Sequence, residues 1–211
     1  MKKIFRTLSL FMLFITFLLP VKVFAMDTDI PLKNSIVNLK MAERKLWIDH
    51  VGWTRSFIIS DLASLPDKDV TLQRLLKNQD DIGASIKPYY GEDGGNKLSQ
   101  LLREHISLGG QVVDAAKSNN KAALDKYNNL WYKNADEISD FLSSANKNLS
   151  NSELKDMLHK HLDLVTAQVV ARINKDWKAD IENYDKGEDH MIKFADIISN
   201  GIVKQFPEKF A

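Results

Sequence analysis

The chain contains no proline between Pro88 and Pro207. Proline breaks helices because it lacks a backbone N–H group and clashes with the preceding turn, so long uninterrupted helices can form over this stretch. Apolar residues recur there at intervals of three, four and seven positions, as in Leu98, Leu101 and Leu108. That spacing places them on one face of a helix. The sequence therefore predicts an all-α protein.

The first 25 residues have the pattern of a secretory signal peptide. Three basic residues precede an uncharged apolar run over residues 7–21, and Ala25 supplies a small residue at the cleavage position. The run is shorter than the roughly 20 residues that span a bilayer. We therefore expect cleavage after Ala25. Residues 26–211 would remain as a single secreted or extracytoplasmic helical domain without a transmembrane segment.

Charge and cysteine content exclude several classes of function. Removal of residues 1–25 takes four of the 29 basic residues and none of the 28 acidic ones, which leaves 25 against 28. A slightly acidic chain lacks the cationic surface that nucleic-acid binding requires. The sequence has no cysteine, which excludes disulfides and thiolate metal sites.

Three segments of the chain resemble one another. Residues 75–82 (LLKNQDDI) are similar to 131–138 (WYKNADEI), and both are similar to 191–198 (MIKFADII). A histidine precedes each segment, at spacings of 55 and 56 residues: His50, His105 and His161. A regular period of this length is typical of a repeated supersecondary unit.

The repeat predicts three tandem helical hairpins, over about residues 35–88, 97–144 and 152–205. Each hairpin is too short to bury its own apolar face, so the three should share one six-helix antiparallel bundle. The segment between the first two hairpins contains Pro88 and three glycines and is expected to be a flexible connector.

The repeated histidines are the main candidate functional residues, because each lies within an apolar stripe. A buried imidazole needs a hydrogen-bond partner or a ligand, since an unpaired buried polar group costs about 1 to 3 kcal/mol. Two interpretations remain open. The histidines form structural hydrogen bonds, or they converge and bind a divalent metal with the repeated carboxylates, imidazole and carboxylate being suitable ligands. The residues of the second interpretation are His50, His105, His161, Asp80, Asp136 and Asp196.

Two arginines close to the apolar stripes offer a different site. Arg55 follows Trp53 and Thr54, and Arg172 follows two valines. An arginine near a core usually pairs with a carboxylate, and it can instead bind an anionic ligand through two N–H donors. Arg55 and Arg172 are therefore candidate ligand-binding residues.

The remaining motifs favour a binding protein over an enzyme. The Gly91–Lys97 segment lacks the Gly-Lys-Ser/Thr ending of a phosphate loop, and the chain has no Gly-x-Ser-x-Gly motif. The leading hypothesis is an exported bundle that binds a metal ion or a small ligand. The alternative is an envelope protein that binds another protein, through exposed helix faces or Tyr89 and Tyr90, with purely structural histidines.

Residues 40–211 resemble a family of short exported all-helical bacterial proteins. The similarity is carried by KNQDDIG (77–83), KPYYG (87–91), DMLHKHL (156–162) and QFPEKF (205–210). It implies an exported helical bundle. Some relatives bear the labels glycosyltransferase or acetylglutamate kinase, but both chemistries use α/β sheets with nucleotide-binding loops, which this sequence lacks. The resemblance therefore implies no enzymatic activity.

Overall fold

The computed structural model describes residues 34–211, and this part of the chain is helical throughout, without a strand. The all-α prediction is confirmed. The expected signal peptide lies outside the described residues. The elements are α1 (Asn34–Leu62), α2 (Lys68–Lys117), α3 (Lys121–Ala145), α4 (Asn151–Ile173), α5 (Trp177–Gln205) and a 3₁₀ helix (Pro207–Phe210).

The helices pack into one bundle. Each helix contacts the next along the chain, and α5 also packs against α1, which closes the arrangement. Every α-helix contributes apolar side chains to the main core, including Trp47, Ile82, Ile138, Leu162 and Phe194. None of the helices over residues 34–211 combines the length and the apolar character needed to cross a membrane.

The expected connector after residue 88 is helical on both sides of a sharp kink. Gly91 alone departs from helical geometry, with φ 75° and ψ 176°, a conformation that favours glycine. The two segments of α2 lie in close contact on either side of the kink. A Cβ atom placed on Gly95 would lie only 2.5 Å from the carbonyl oxygen of Gly83. Gly83 and Gly95 are twelve residues apart, and a straight helix would separate them by about 18 Å. Helix α2 therefore doubles back at Gly91, and the predicted flexible loop is wrong.

Three of the interhelical turns have the same backbone geometry. Ser64, Asn119 and Lys175 adopt positive φ angles of 51°, 55° and 59° just after α1, α2 and α4. In each turn the following N–H bonds a carbonyl five residues earlier, which satisfies the helix end. These bonds are Leu65 to Ser60 at 2.8 Å, Asn120 to Ala115 at 2.9 Å and Asp176 to Ala171 at 2.9 Å.

Tyr89 and Tyr90, which the sequence suggests as a protein-binding site, are partly covered by the C-terminal residues. The ring of Tyr89 stacks on Phe210, with centroids 5.8 Å apart, and Tyr90 lies edge-on to Phe206 at 5.3 Å. Both tyrosines lie at the end of the first segment of α2, and the C-terminal residues pack over them.

Candidate functional site

The three repeated histidines meet in the centre of the bundle. They come from α1, from the second segment of α2 and from α4, and each is at most 4% exposed. The Nε2 atoms of His50 and His161 are 3.4 Å apart, and their ring centroids are separated by 5.4 Å. The ring of His105 lies roughly parallel to that of His161, with centroids 6.4 Å apart. Hereafter these three residues are the histidine cluster.

Two amide side chains fix the rings of His105 and His50. Asn134 Oδ1 lies 2.8 Å from His105 Nδ1, and Asn134 Nδ2 donates to the carbonyl of Leu101, which sets the orientation of the amide. Gln79 Nε2 lies 3.3 Å from His50 Nδ1 and donates to the carbonyl of Leu75 at 2.9 Å. Amides therefore occupy the positions next to the imidazoles.

These contacts determine where the ring protons lie. His105 Nδ1 faces an acceptor and carries its proton, which leaves a free lone pair on Nε2. Gln79 Nε2 donates to Leu75 O and Asn78 Oδ1 and also faces His50 Nδ1, so a proton on Nδ1 would meet no acceptor. We therefore place the His50 proton on Nε2, directed at His161 Nε2. His161 must then carry its proton on Nδ1, and that atom is buried without a hydrogen-bond partner in the protein.

Burial keeps all three imidazoles neutral at pH 7. It lowers the pKa of His50 to about 3 and that of His105 to about 4. The pKa of His161 is also well below its usual value, because of burial and then of repulsion by the other nearby histidines. Neutral imidazole is the form that binds a metal ion.

The histidine cluster lines a small, mostly apolar cavity. Its walls include Phe57, Ile58 and Trp131, and no carboxylate reaches it. The cavity leaves about 30 Å³ for the centres of water-sized spheres. About 10 to 15 Å³ measured in this way holds one water molecule. The space therefore suits a single ion or two to three waters, and it is too small for an organic molecule.

The repeated aspartates are not part of this cluster. Each forms an ion pair or charged hydrogen bond on the outside of the bundle: Asp80 with Arg103 at 3.0 Å, Asp136 with His159 at 2.9 Å and Asp196 with Arg44 at 2.7 Å. The expected pairing of these carboxylates with the histidine cluster is thus replaced by the amide contacts. Among residues 34–211, no three His, Cys, Asp or Glu side chains are already placed to hold a metal ion together.

The two candidate arginines meet at a carboxylate. Arg55 binds Asp180 through two N–H donors, at 2.6 and 3.0 Å, and Arg172 binds the same side chain at 2.7 Å. The guanidinium of Arg55 also lies over the ring of Tyr184, and that of Arg172 over Trp177. The structure therefore gives both arginines an internal partner.

Sequence reasoning missed the amide partners, although the spacing contains a signal for them. Gln79 and Asn134 each follow their histidine by 29 residues. The residue 29 positions after His161 is His190, whose Nε2–H donates to the carbonyl of Met157 at 2.7 Å. One constant interval thus identifies the residue that contacts the histidine-bearing helix in each repeat.

Comparisons of the chain with protein-family models, with curated proteins and with solved structures found no match.

Proposed function

We propose that this protein is an exported helical bundle that binds one transition-metal ion through His50, His105 and His161. The observation that carries the proposal is the separation of 3.4 Å between the Nε2 atoms of His50 and His161. Two nitrogens that are each about 2.0 Å from one metal ion, at tetrahedral to trigonal angles, lie about 3.3 to 3.5 Å apart. The pair already has the spacing of two ligands.

The third ligand requires a movement of the His105 ring. The centroids of His105 and His161 are 1.0 Å further apart than those of His50 and His161, at 6.4 against 5.4 Å. His105 Nε2 has a free lone pair, and Asn134 orients the ring from the other side as an outer-shell partner does in metal sites. Because the ring of His105 lies roughly parallel to that of His161, it must both approach the pair and turn towards it to complete a three-nitrogen site.

Metal binding also changes the tautomer of His50. Coordination through Nε2 moves the ring proton to Nδ1, which then needs an acceptor. Gln79 supplies one only if its amide turns, which brings the unpartnered Oε1 to the ring and breaks the hydrogen bonds from Nε2 to Leu75 O and Asn78 Oδ1. Imidazole ligands without thiolates suit zinc, copper, iron or nickel. The small volume of the cavity favours an ion over an organic ligand.

Titration of the purified protein with Zn²⁺ and Cu²⁺, followed by metal analysis and thermal unfolding, tests this function. We expect one ion per chain and a raised melting temperature. Metal at 100 times its Kd adds about 2.7 kcal/mol to the free energy of unfolding. His50→Ala, His105→Ala and His161→Ala should each weaken metal binding and reduce the gain in melting temperature.

His159→Ala is the matched control, because His159 is only partly buried, lies outside the histidine cluster and pairs with Asp136. It should bind metal like the wild type. A wild type that stays metal-free and gains no thermal stability would refute the proposal.

Export of the protein has its own test: mass spectrometry of the protein from its natural host should find a chain that begins at Met26.

A second candidate function, protein interaction in the envelope, is favoured by apolar side chains exposed at the α4–α5 turn. Ile173 and Trp177 line one open groove and are 44% and 53% exposed. Val170 and Ile181, one turn away on each helix, are also exposed. A photo-crosslinker at position 177 should give one discrete product in the native envelope, and one at position 121 should give none.

We also infer that the bundle is three hairpins, or six helices when α2 is counted as two. The support is the agreement of independent periods. Ser64, Asn119 and Lys175, the residues with positive φ, are 55 and 56 residues apart, as are the members of the histidine cluster. The kink at Gly91 then separates the first hairpin from the second. Separate expression of residues 92–145 should yield a helical but unstable fragment.

A further inference from the structure

A second, smaller cavity lies between α1, α4 and α5. His161 and Thr54 line both this cavity and the one described above, and Gln168 lines only the second. It leaves about 10 Å³ for the centres of water-sized spheres, which is the space for one water molecule. Its remaining walls include Val51 and Leu164.

Three residues that line this cavity each have a buried polar atom without a hydrogen-bond partner in the protein. The atoms are Thr54 Oγ1, His161 Nδ1 and Gln168 Nε2. His161 and Gln168 are 3% and 4% exposed, so bulk solvent does not satisfy them. Each orphaned group would cost about 1 to 3 kcal/mol, and native proteins contain few such groups. Three of them around one water-sized space point to a ligand.

We propose that this cavity binds one ordered water molecule, which accepts hydrogen bonds from His161 Nδ1–H and Gln168 Nε2–H and donates one to Thr54 Oγ1. A buried water typically makes about three hydrogen bonds to groups of this kind. The tautomer deduced from Gln79 and His50 independently requires His161 to be a donor at Nδ1. Water supplies the acceptor that the protein lacks.

The water positions His161 for the histidine cluster. By holding the proton on Nδ1, it keeps the lone pair of Nε2 directed towards His50, as a metal ligand requires. This role rests on the proposed metal-binding function, whereas the water site does not. The water is therefore a positioning group that acts through His161, and it needs no contact with the metal.

Nitrogen-15 NMR of histidine-labelled, metal-free protein tests the inference directly. The expected spectrum shows His161 protonated at Nδ1, with a cross-relaxation peak between that proton and a long-lived water. Thr54→Val and Gln168→Met are close in volume to the native residues and each remove one partner. Both should weaken or abolish the water peak and lower metal affinity by about 10- to 100-fold.

Thr166→Val is the matched control, because Thr166 Oγ1 is also buried and unpartnered but lines a different cavity. It should leave the water peak and the affinity unchanged. Protonation of His161 at Nε2, or the absence of a water peak in the wild type, would overturn the inference even if metal binds. If His161 is protonated at Nδ1 and the water peak is present in a protein that binds no metal, the water site is confirmed and only the metal function is refuted.

Discussion

Two buried polar clusters in this bundle differ in how completely their hydrogen bonds are made. Asp180 receives three hydrogen bonds from two arginines, and both guanidinium groups also lie over aromatic rings. In the histidine cluster, by contrast, His161 has an unpartnered Nδ1 and a cavity adjoins the rings. The first cluster is complete within the protein, and the second is not.

This difference separates a structural role from a binding role. A fully paired cluster needs nothing further, and its removal should cost only stability. A half-paired cluster beside a cavity can accept a ligand, because the ligand supplies the missing interactions. We therefore propose a structural role for Asp180 with its arginines and a binding role for the histidine cluster, although both carry residues that the sequence marks as candidates.

The largest expected effect is that of Asp180→Asn. Burial alone would raise the pKa of Asp180, but the hydrogen bonds and charges of Arg55 and Arg172 outweigh it and lower the pKa. Loss of the carboxylate charge leaves two partly buried guanidinium groups without compensation. Breaking a buried pair in this way costs about 3 to 5 kcal/mol, and we expect about 3 because the arginines are partly exposed.

Urea denaturation of Asp180→Asn measures this loss. Asp125→Asn is the control, since Asp125 pairs with Lys121 at the surface and should change the free energy of unfolding by at most about 0.5 kcal/mol. Equal effects of the two substitutions would remove the distinction between a complete buried cluster and an ordinary surface pair.

The next effect is acid destabilisation through the histidine cluster. The pKa of His105 is lowered to about 4, so between pH 6.5 and about 4 the unfolded chain binds a proton that the folded chain does not. Stability contributed by this residue is therefore lost as the pH falls through that range, by up to about 1.4 kcal/mol per pH unit. Burial raises the pKa of Glu43, which acts in the opposite direction.

Denaturation of the wild type and of His105→Gln at pH 7, 6 and 5 isolates the histidine contribution, because Glu43 is common to both proteins. The variant should lose less stability on acidification than the wild type. Parallel curves would show that folding does not lower the pKa of His105.

The smallest expected effect is that of His161→Met on the metal-free protein. Methionine fills a similar volume and removes the nitrogen that has no partner in the protein, but it also removes the Nε2 acceptor of the long 3.4 Å contact from His50, so we expect a loss of about 1 kcal/mol. His105→Met breaks the bond to Asn134 and should cost more, about 2 kcal/mol. Thermal and urea unfolding of both variants gives the comparison, and a larger cost for His161→Met would contradict it.

The sequence predicts the helices and the burial of the histidines because both depend on local periodicity. It fails on the partners for a geometric reason. Successive helical residues point about 100° apart, so Gln79 faces His50 while Asp80, the next residue, lies beside Arg103 on the outside. Asp136 is likewise two residues from Asn134 and faces outward. The repeat identifies the helical turn that contacts the histidine, but it does not identify which residue of that turn faces the histidine.

The convergence of the histidines depends on how the helices align along the bundle, which spacing within one helix does not determine. The sequence pattern also does not predict the kink at Gly91. Glycines near Pro88 indicate a loop, yet a single residue with positive φ suffices to reverse α2 when Gly83 and Gly95 allow close approach. These tertiary contacts determine which residues meet at the site, and they cannot be predicted from a local sequence pattern.

X-ray absorption spectroscopy of the metal-loaded protein tests the central claim most directly. The account predicts a first shell with three imidazole nitrogens at about 2.0 Å from the metal, reduced by one in His105→Ala. A first shell of carboxylate oxygens, or one that is unchanged in His105→Ala, would contradict it.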